Sequence, residues 1–213
     1  MLRPVRVLGI DEAGRGCVLG DLVVAGFAAD DLDESALRSA GAADSKSVPA
    51  AKRQAARESL ALLGRVEVRR VSARQIDGGN LNTLEEAAIV DLIVEVRPDV
   101  VRLDALGHPN TLGALAIRLK KALPRRLRPA FTIEPKADVT FAEVGAASIF
   151  AKTLRDEILD GWRAEFGDFG SGYPSDPKTR EWLADWARSG KDWPEFVRRR
   201  WATIEELAQR SLF

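Results

Sequence analysis

Two adjacent carboxylates, Asp11 and Glu12, close a short apolar run, Val5 to Ile10, and stand just before a glycine turn, Gly14-Arg15-Gly16. A buried strand end disfavours charge unless something compensates it. Glycines in turn let a backbone pass close to a bulky group and present its N–H donors. Asp104 ends a second apolar run, Val100 to Leu103, and Asp138 sits in a Lys136-Ala137-Asp138 turn. Singly, each would pass as a helix cap or turn residue. Together they make four carboxylates at the ends of elements able to converge on one sheet edge, a hard-oxygen set suited to Mg2+ or Mn2+. Two such ions about 4 Å apart activate a water and stabilise the leaving oxygen in phosphodiester hydrolysis. The single histidine, His108, argues against zinc chemistry and against a Ser-His-Asp triad. A dinucleotide fingerprint fails as well: the spacing is Gly14-x-Gly16-x-x-x-Gly20, and a β-type run follows instead of a helix.

The elements that must carry these residues follow from hydrophobic periodicity. Val5–Ile10 and Leu22–Ala29 read as two strands joined by a tight, unusual loop. Pro49–Leu63 has helical spacing, with Pro in the first turn and Gly64 beyond the end. Val66–Val71 alternates as a half-buried strand, Asn82–Val96 is helical, and Val100–Leu103 is a short strand stopping at Asp104. A basic helix, His108–Leu123, precedes a strand over Ala130–Glu134. The long helix Phe141–Trp162 has an unusually small middle, Gly145-Ala146-Ala147-Ser148, which permits close approach of another backbone. Four of the five tryptophans, Trp182, Trp186, Trp193 and Trp201, fall near the C-terminus among basic side chains. The expected organisation is an α/β catalytic core over residues 1–161 and a helical C-terminal extension over 162–213 packed on it.

Of the 213 residues, 46% are hydrophobic and 30% charged, which excludes disorder and a coiled-coil rod. Lys+Arg and Asp+Glu both number 32, so a polyanion site must be a local patch, not a global field. The one cysteine, Cys17, allows no internal disulfide and reads as a reducing, cytoplasmic setting. No stretch approaches the roughly 18 consecutive apolar residues of a membrane span, and the N-terminal residues lack a signal-peptide pattern.

The segments GIDEAGRG, ADSKSV (Ala43–Val48), LDALG (Leu103–Gly107), KAD, AASIFAKTLRD (Ala146–Asp156) and GSGYPSDPKT (Gly170–Thr179) occur in the order of the ribonuclease HII family, which this chain resembles from about residue 9 to 180. The GSGYPSDPKT form and the tail WPEFVRRRWATIEEL resemble the archaeal and eukaryotic catalytic-subunit branch. The resemblance implies an RNase H-like α/β fold with a central mixed sheet. It also implies an endonuclease that hydrolyses the RNA strand of RNA–DNA hybrids and cuts 5′ to single ribonucleotides in duplex DNA, leaving a 3′-hydroxyl and a 5′-phosphate. Asp11, Glu12, Asp104 and Asp138 match the family's metal-binding and catalytic carboxylates, with Asp11 and Asp104 contributing to both ions. Gly14, Arg15 and Gly16 match the turn that, with a tyrosine, senses the ribose 2′-OH; that tyrosine matches Tyr173, the only one in the chain. The 2′-OH is the group that distinguishes RNA from DNA. Lys46, Ser148, Lys152 and Arg155 match elements placed along the nucleic-acid backbone. Cys17 stands where the family commonly has proline, which predicts a somewhat looser turn.

Two tail features remain. Arg198-Arg199-Arg200-Trp201 either contacts phosphates and stacks on bases, or packs the extension onto the core. Gln209-Arg210-Ser211-Leu212-Phe213 resembles a sliding-clamp-binding peptide. The expected form is a free-standing monomer with no membrane contact.

Overall fold

A computed structural model describes residues 3–45, 48–104 and 112–210, apart from the side chains of 207–210. A five-stranded sheet is flanked by helices on both faces. Its strands are β1 (Arg6–Ala13), β2 (Leu22–Asp30), β3 (Arg65–Val71), β4 (Val100–Asp104) and β5 (Ala130–Glu134), in the spatial order β3-β2-β1-β4-β5. β1 and β2 form the expected antiparallel pair, and β3 adds antiparallel to β2. β4 and β5 run parallel to β1, so β1, β4 and β5 point their carboxyl ends the same way.

The helices are α1 (Glu34–Ser39), α2 (Ala50–Leu60), α3 (Ala73–Gly78), α4 (Leu81–Val96), α5 (Leu112–Ala122), α6 (Ala137–Thr140), α7 (Ala142–Phe166), α8 (Pro177–Arg188) and α9 (Ala202–Arg210). α4 and α5 cover one face of the sheet, where Leu8, Ile10, Val101 and Leu103 join Ile89, Leu92 and Leu119 in a buried core. The other face carries α2 and α7 over Val23, Ala25 and Phe27. Here the small residues act as expected. A Cβ on Gly9 of β1 would lie 2.3 Å from the Glu143 carbonyl carbon, so only glycine lets α7 lie this close to the strand. A Cβ on Gly145 would meet the Asp138 carbonyl oxygen at 2.8 Å and the Ala43 nitrogen at 2.9 Å, so this glycine draws α6 and the 42–45 loop onto α7.

α7 runs unbroken through Gly161 to Phe166, and the boundary expected at 161/162 falls inside it. Its C-terminal half enters a third cluster with Leu19, Phe169, Leu183 and Phe196, against which Trp162, Trp182, Trp193 and Trp201 pack. The tryptophans therefore serve packing. The arginine run divides: Arg198 is fully buried, while Arg199 and Arg200 are exposed and their backbone amides donate to Asp77 at 2.9 and 3.1 Å. Among the described residues, no helix is long and apolar enough to cross a membrane.

Candidate active site

The parallel strands determine where the acids meet. Leu8 and Ile10 face the α4 core, so the intervening Gly9 and the next odd residue, Asp11, face α7. β4 keeps the same alternation: Leu103 is in the core, and Arg102 on the other face pairs with Glu143 of α7 at 2.7 Å. Ile10 pairs with Leu103, the last pair of that ladder, so one step further on Asp11 of β1 and Asp104 at the end of β4 stand on one face. β5 delivers Asp138 just beyond its end, in the short helix α6, whose first amide, Ala137 N–H, donates to Asp104 Oδ1 at 3.1 Å. Ligand sites in such sheets lie beyond the carboxyl ends of the strands.

All four acids line one cleft of about 510 Å3, together with Gly14, Arg15, Gly16, Ser148, Lys152 and Tyr173. Ser45, which sequence reasoning missed, also lines it. Its hydroxyl is hydrogen-bonded to the Ser148 hydroxyl at 2.9 Å, tying the 42–45 loop to α7. Lys46 and His108 lie outside the described residues, as do Ser211, Leu212 and Phe213.

Asp11 is only 7% exposed, and its pKa is raised well above the usual carboxylate range. Burial is the main cause, followed by the charge of Glu12; the Ser148 hydroxyl and the Glu12 N–H oppose it, and the charge of Asp104 adds to it. Carboxylates crowded in this way favour either a proton or a cation. The donors are hard oxygens, and the set fits a divalent ion of the Mg2+ type. Among the described residues, the acids line the cleft without three of them closing into a ready-made cage.

The turn beside the acids is held firmly. Gly14 has φ +92, and a Cβ there would lie 2.5 Å from the Asp21 carbonyl oxygen. Gly16 is different: a Cβ would find only Tyr173 Cε1, at 4.0 Å. The Cys17 N–H closes the turn onto the Gly14 carbonyl at 3.3 Å, a bond that proline could not make. Cys17 is fully buried. The Arg15 guanidinium reaches α4, donating to Asn82 Oδ1 at 2.5 Å and lying 3.4 Å from Glu85.

Tyr173 sits in a loop knotted by Asp176. That carboxylate accepts from Ser171 N–H at 2.6 Å and caps α8 through Lys178 N–H at 3.0 Å, and these bonds hold its pKa down at about 2. The Val18 and Leu19 amides donate to the Gly172 carbonyl at 2.9 and 3.2 Å, joining this loop to the segment after the glycine turn. Arg155 differs from expectation. It is 2% exposed, donates to Cys17 Sγ at 2.9 Å and to the Ser171 carbonyl at 3.0 Å, and lies 5.3 Å from the centre of the Tyr173 ring. Committed beneath Tyr173, it is not placed to hold a phosphate. Lys152 does line the cleft, with Nζ 2.6 Å from Asp156.

The sequence pattern of the family described as Ribonuclease HII fits residues 8–204. This chain belongs to the ribonuclease HII family. A ribonuclease HII of Archaeoglobus fulgidus is 38% identical over 208 residues, covering 96% of this chain and 97% of that protein. The crystal structure of ribonuclease H2 from Pyrococcus horikoshii superposes with a TM-score of 0.87 at 34% identity, covering 97% of this chain and 98% of the other. The ribonuclease HII in a complex with PCNA from Archaeoglobus fulgidus superposes with a TM-score of 0.84 at 37% identity, covering 94% and 96%. The ribonuclease HII family consists of metal-dependent endoribonucleases, and the mixed sheet with its flanking helices is the RNase H-like fold.

Proposed function

We propose that the cleft hydrolyses the RNA strand of RNA–DNA hybrids and cuts 5′ to a single ribonucleotide in duplex DNA, leaving a 3′-hydroxyl and a 5′-phosphate. The observation that carries this reading is one cleft holding both parts of the chemistry: four acids gathered near the carboxyl ends of β1, β4 and β5, and a glycine turn beside Tyr173. Asp11, Glu12, Asp104 and Asp138 would hold two divalent ions, Mg2+ or Mn2+. Such ions, when bound, lower the pKa of a water and neutralise charge on the leaving oxygen.

The chain's own residues do the rest. Ser148 and the Glu12 N–H orient the Asp11 carboxylate by hydrogen bonding, and α6 orients Asp104 through the Ala137 amide. Gly16 leaves open space beside Tyr173 into which a ribose can come close. Lys152 adds a cation on the cleft wall for a phosphate, at the cost of its pairing with Asp156. The relative solved with PCNA supports a sliding clamp as partner, bound through Gln209–Phe213. Deleting that peptide should reduce clamp binding and leave turnover on short duplexes unchanged.

The test is a nicking assay on a labelled duplex with one ribonucleotide, with an all-DNA duplex, a full hybrid and an EDTA lane as controls. The expected result is a cut on the 5′ side, dependent on Mg2+ or Mn2+ and absent on all-DNA. Hybrid binding without any cleavage would instead mark a binding scaffold.

A further inference from the structure

The glycine turn is built by residues almost at the other end of the chain. The backbone of 196–198 is stitched to 18–20: Gly20 N–H donates to the Phe196 carbonyl at 2.7 Å, Arg198 N–H donates to the Val18 carbonyl at 2.9 Å, and Leu19 bridges Val197. From there the Arg198 side chain runs beneath the turn. Its Nη2 donates to the Gly14 carbonyl at 2.6 Å, Nη1 to the Arg15 carbonyl at 2.9 Å and Nε to the Gly20 carbonyl at 2.9 Å.

We propose that Arg198 is a positioning residue for ribonucleotide recognition: it fixes the Gly14 and Arg15 peptide planes so that the N–H groups of Arg15 and Gly16 are presented to the cleft. In a trans peptide the carbonyl and the following N–H point in opposite directions. Pinning the two carbonyls onto a buried guanidinium therefore turns the next two N–H groups the other way. Among the described residues, neither N–H meets another backbone acceptor.

The chemistry of the group supports a dedicated role. Arg198 has 0% exposure, and a buried cation ordinarily has a carboxylate partner. Here none of the described carboxylates lies within ion-pair distance, and the guanidinium spends its donors on three carbonyls instead. Burial lowers its pKa to about 10, so it stays charged at neutral pH while bearing a desolvation penalty. Stacking near the Trp201 ring, at 5.0 Å, holds its plane. A lysine in its place would keep the charge but lack the planar fork needed to span three acceptors. The Arg15 side chain is itself fixed by Asn82 and Glu85 of α4, so the turn is held through its side chain as well as through its carbonyls.

This inference rests on the reading that Gly14–Gly16 recognises the 2′-OH, and the experiment separates the two. Wild type, Arg198→Lys and Arg198→Ala, each as the full chain, are assayed on a single-ribonucleotide duplex and on a long hybrid, with and without added guanidinium, alongside thermal unfolding. The expected result for Arg198→Lys is a fall of about tenfold in the ratio of single-ribonucleotide to hybrid kcat/KM, roughly the loss of one or two net hydrogen bonds. Added guanidinium should restore part of that ratio in Arg198→Ala. Equal losses on both substrates, or an unchanged ratio without guanidinium rescue, would overturn the positioning role. If Arg198→Ala fails to fold, the Arg198→Lys ratio decides alone. Wild type that cuts hybrids yet ignores the single ribonucleotide would overturn the reading of the turn itself.

Discussion

Glu85 on α4 lies behind Arg15 with 0% exposure, and among the described residues neither of its carboxylate oxygens has a hydrogen-bond partner. Burial, aided by the nearby charge of Glu86, raises its pKa from 4.5 to about 7 against the pull of Arg15. The native state therefore holds this proton more tightly than the unfolded chain. The resulting stability is fully present below about 4.5, is lost as pH rises through the native pKa of about 7, and is constant above it. At about 1.36 kcal/mol for each pH unit, the whole interval amounts to about 3 kcal/mol, of which about 2.5 kcal/mol falls between pH 5 and pH 8. Glu85→Gln removes the titration while keeping the shape, and Asn82 still holds Arg15. Urea unfolding of wild type and Glu85→Gln at both pH values should show the variant gaining about 2.5 kcal/mol on wild type from pH 5 to pH 8. A difference between the two proteins that stays the same at both pH values would refute the reasoning.

Asp104→Asn keeps an acceptor for the Ala137 amide but removes a ligand charge, so cleavage should be abolished while hybrid binding in a gel-shift assay persists. The two turn glycines should part ways. Gly14→Ala forces a Cβ to 2.5 Å from a carbonyl at φ +92 and should cost about 1–3 kcal/mol in thermal unfolding. Gly16→Ala meets nothing nearer than 4.0 Å and should unfold within about 0.5 kcal/mol of wild type. It should nonetheless cut a single-ribonucleotide duplex poorly; normal cutting would remove Gly16 from substrate contact. Tyr173→Ala should weaken that same substrate more than a long hybrid, and equal losses would count against its proposed role.

What could be read from the sequence was whatever announces itself locally. The apolar runs ending at Ile10 and Leu103 became parallel neighbours in the sheet, and the acids after them met in one cleft because both strands end on one side. The small residues of α7 also behaved as their size implied, with Gly145 admitting α6. The short helices α1, α3 and α6 escaped notice because four to six residues carry no measurable period. Asp33, whose side chain caps α1, and Ser72, which caps α3 together with Gln75, were the signals that could have marked the first two starts. The roles of Arg155 and Arg198 were hidden for another reason. Arginine is taken to be exposed unless paired, and nothing near either residue in sequence reveals carbonyl acceptors contributed by distant loops.

That distance also bears on how the molecule comes into being. The bonds between Arg198 and the Gly14, Arg15 and Gly20 carbonyls link residues 184, 183 and 178 positions apart. During synthesis β1 and its acids emerge well before residues 196–198, so the grip of Arg198 on the turn beside them is among the later contacts to become available. Contacts of such long range form late and slow folding. A nascent chain can thus collect its carboxylates long before it holds the loop next to them. Residues 196–198 thus complete a turn that is translated long before them.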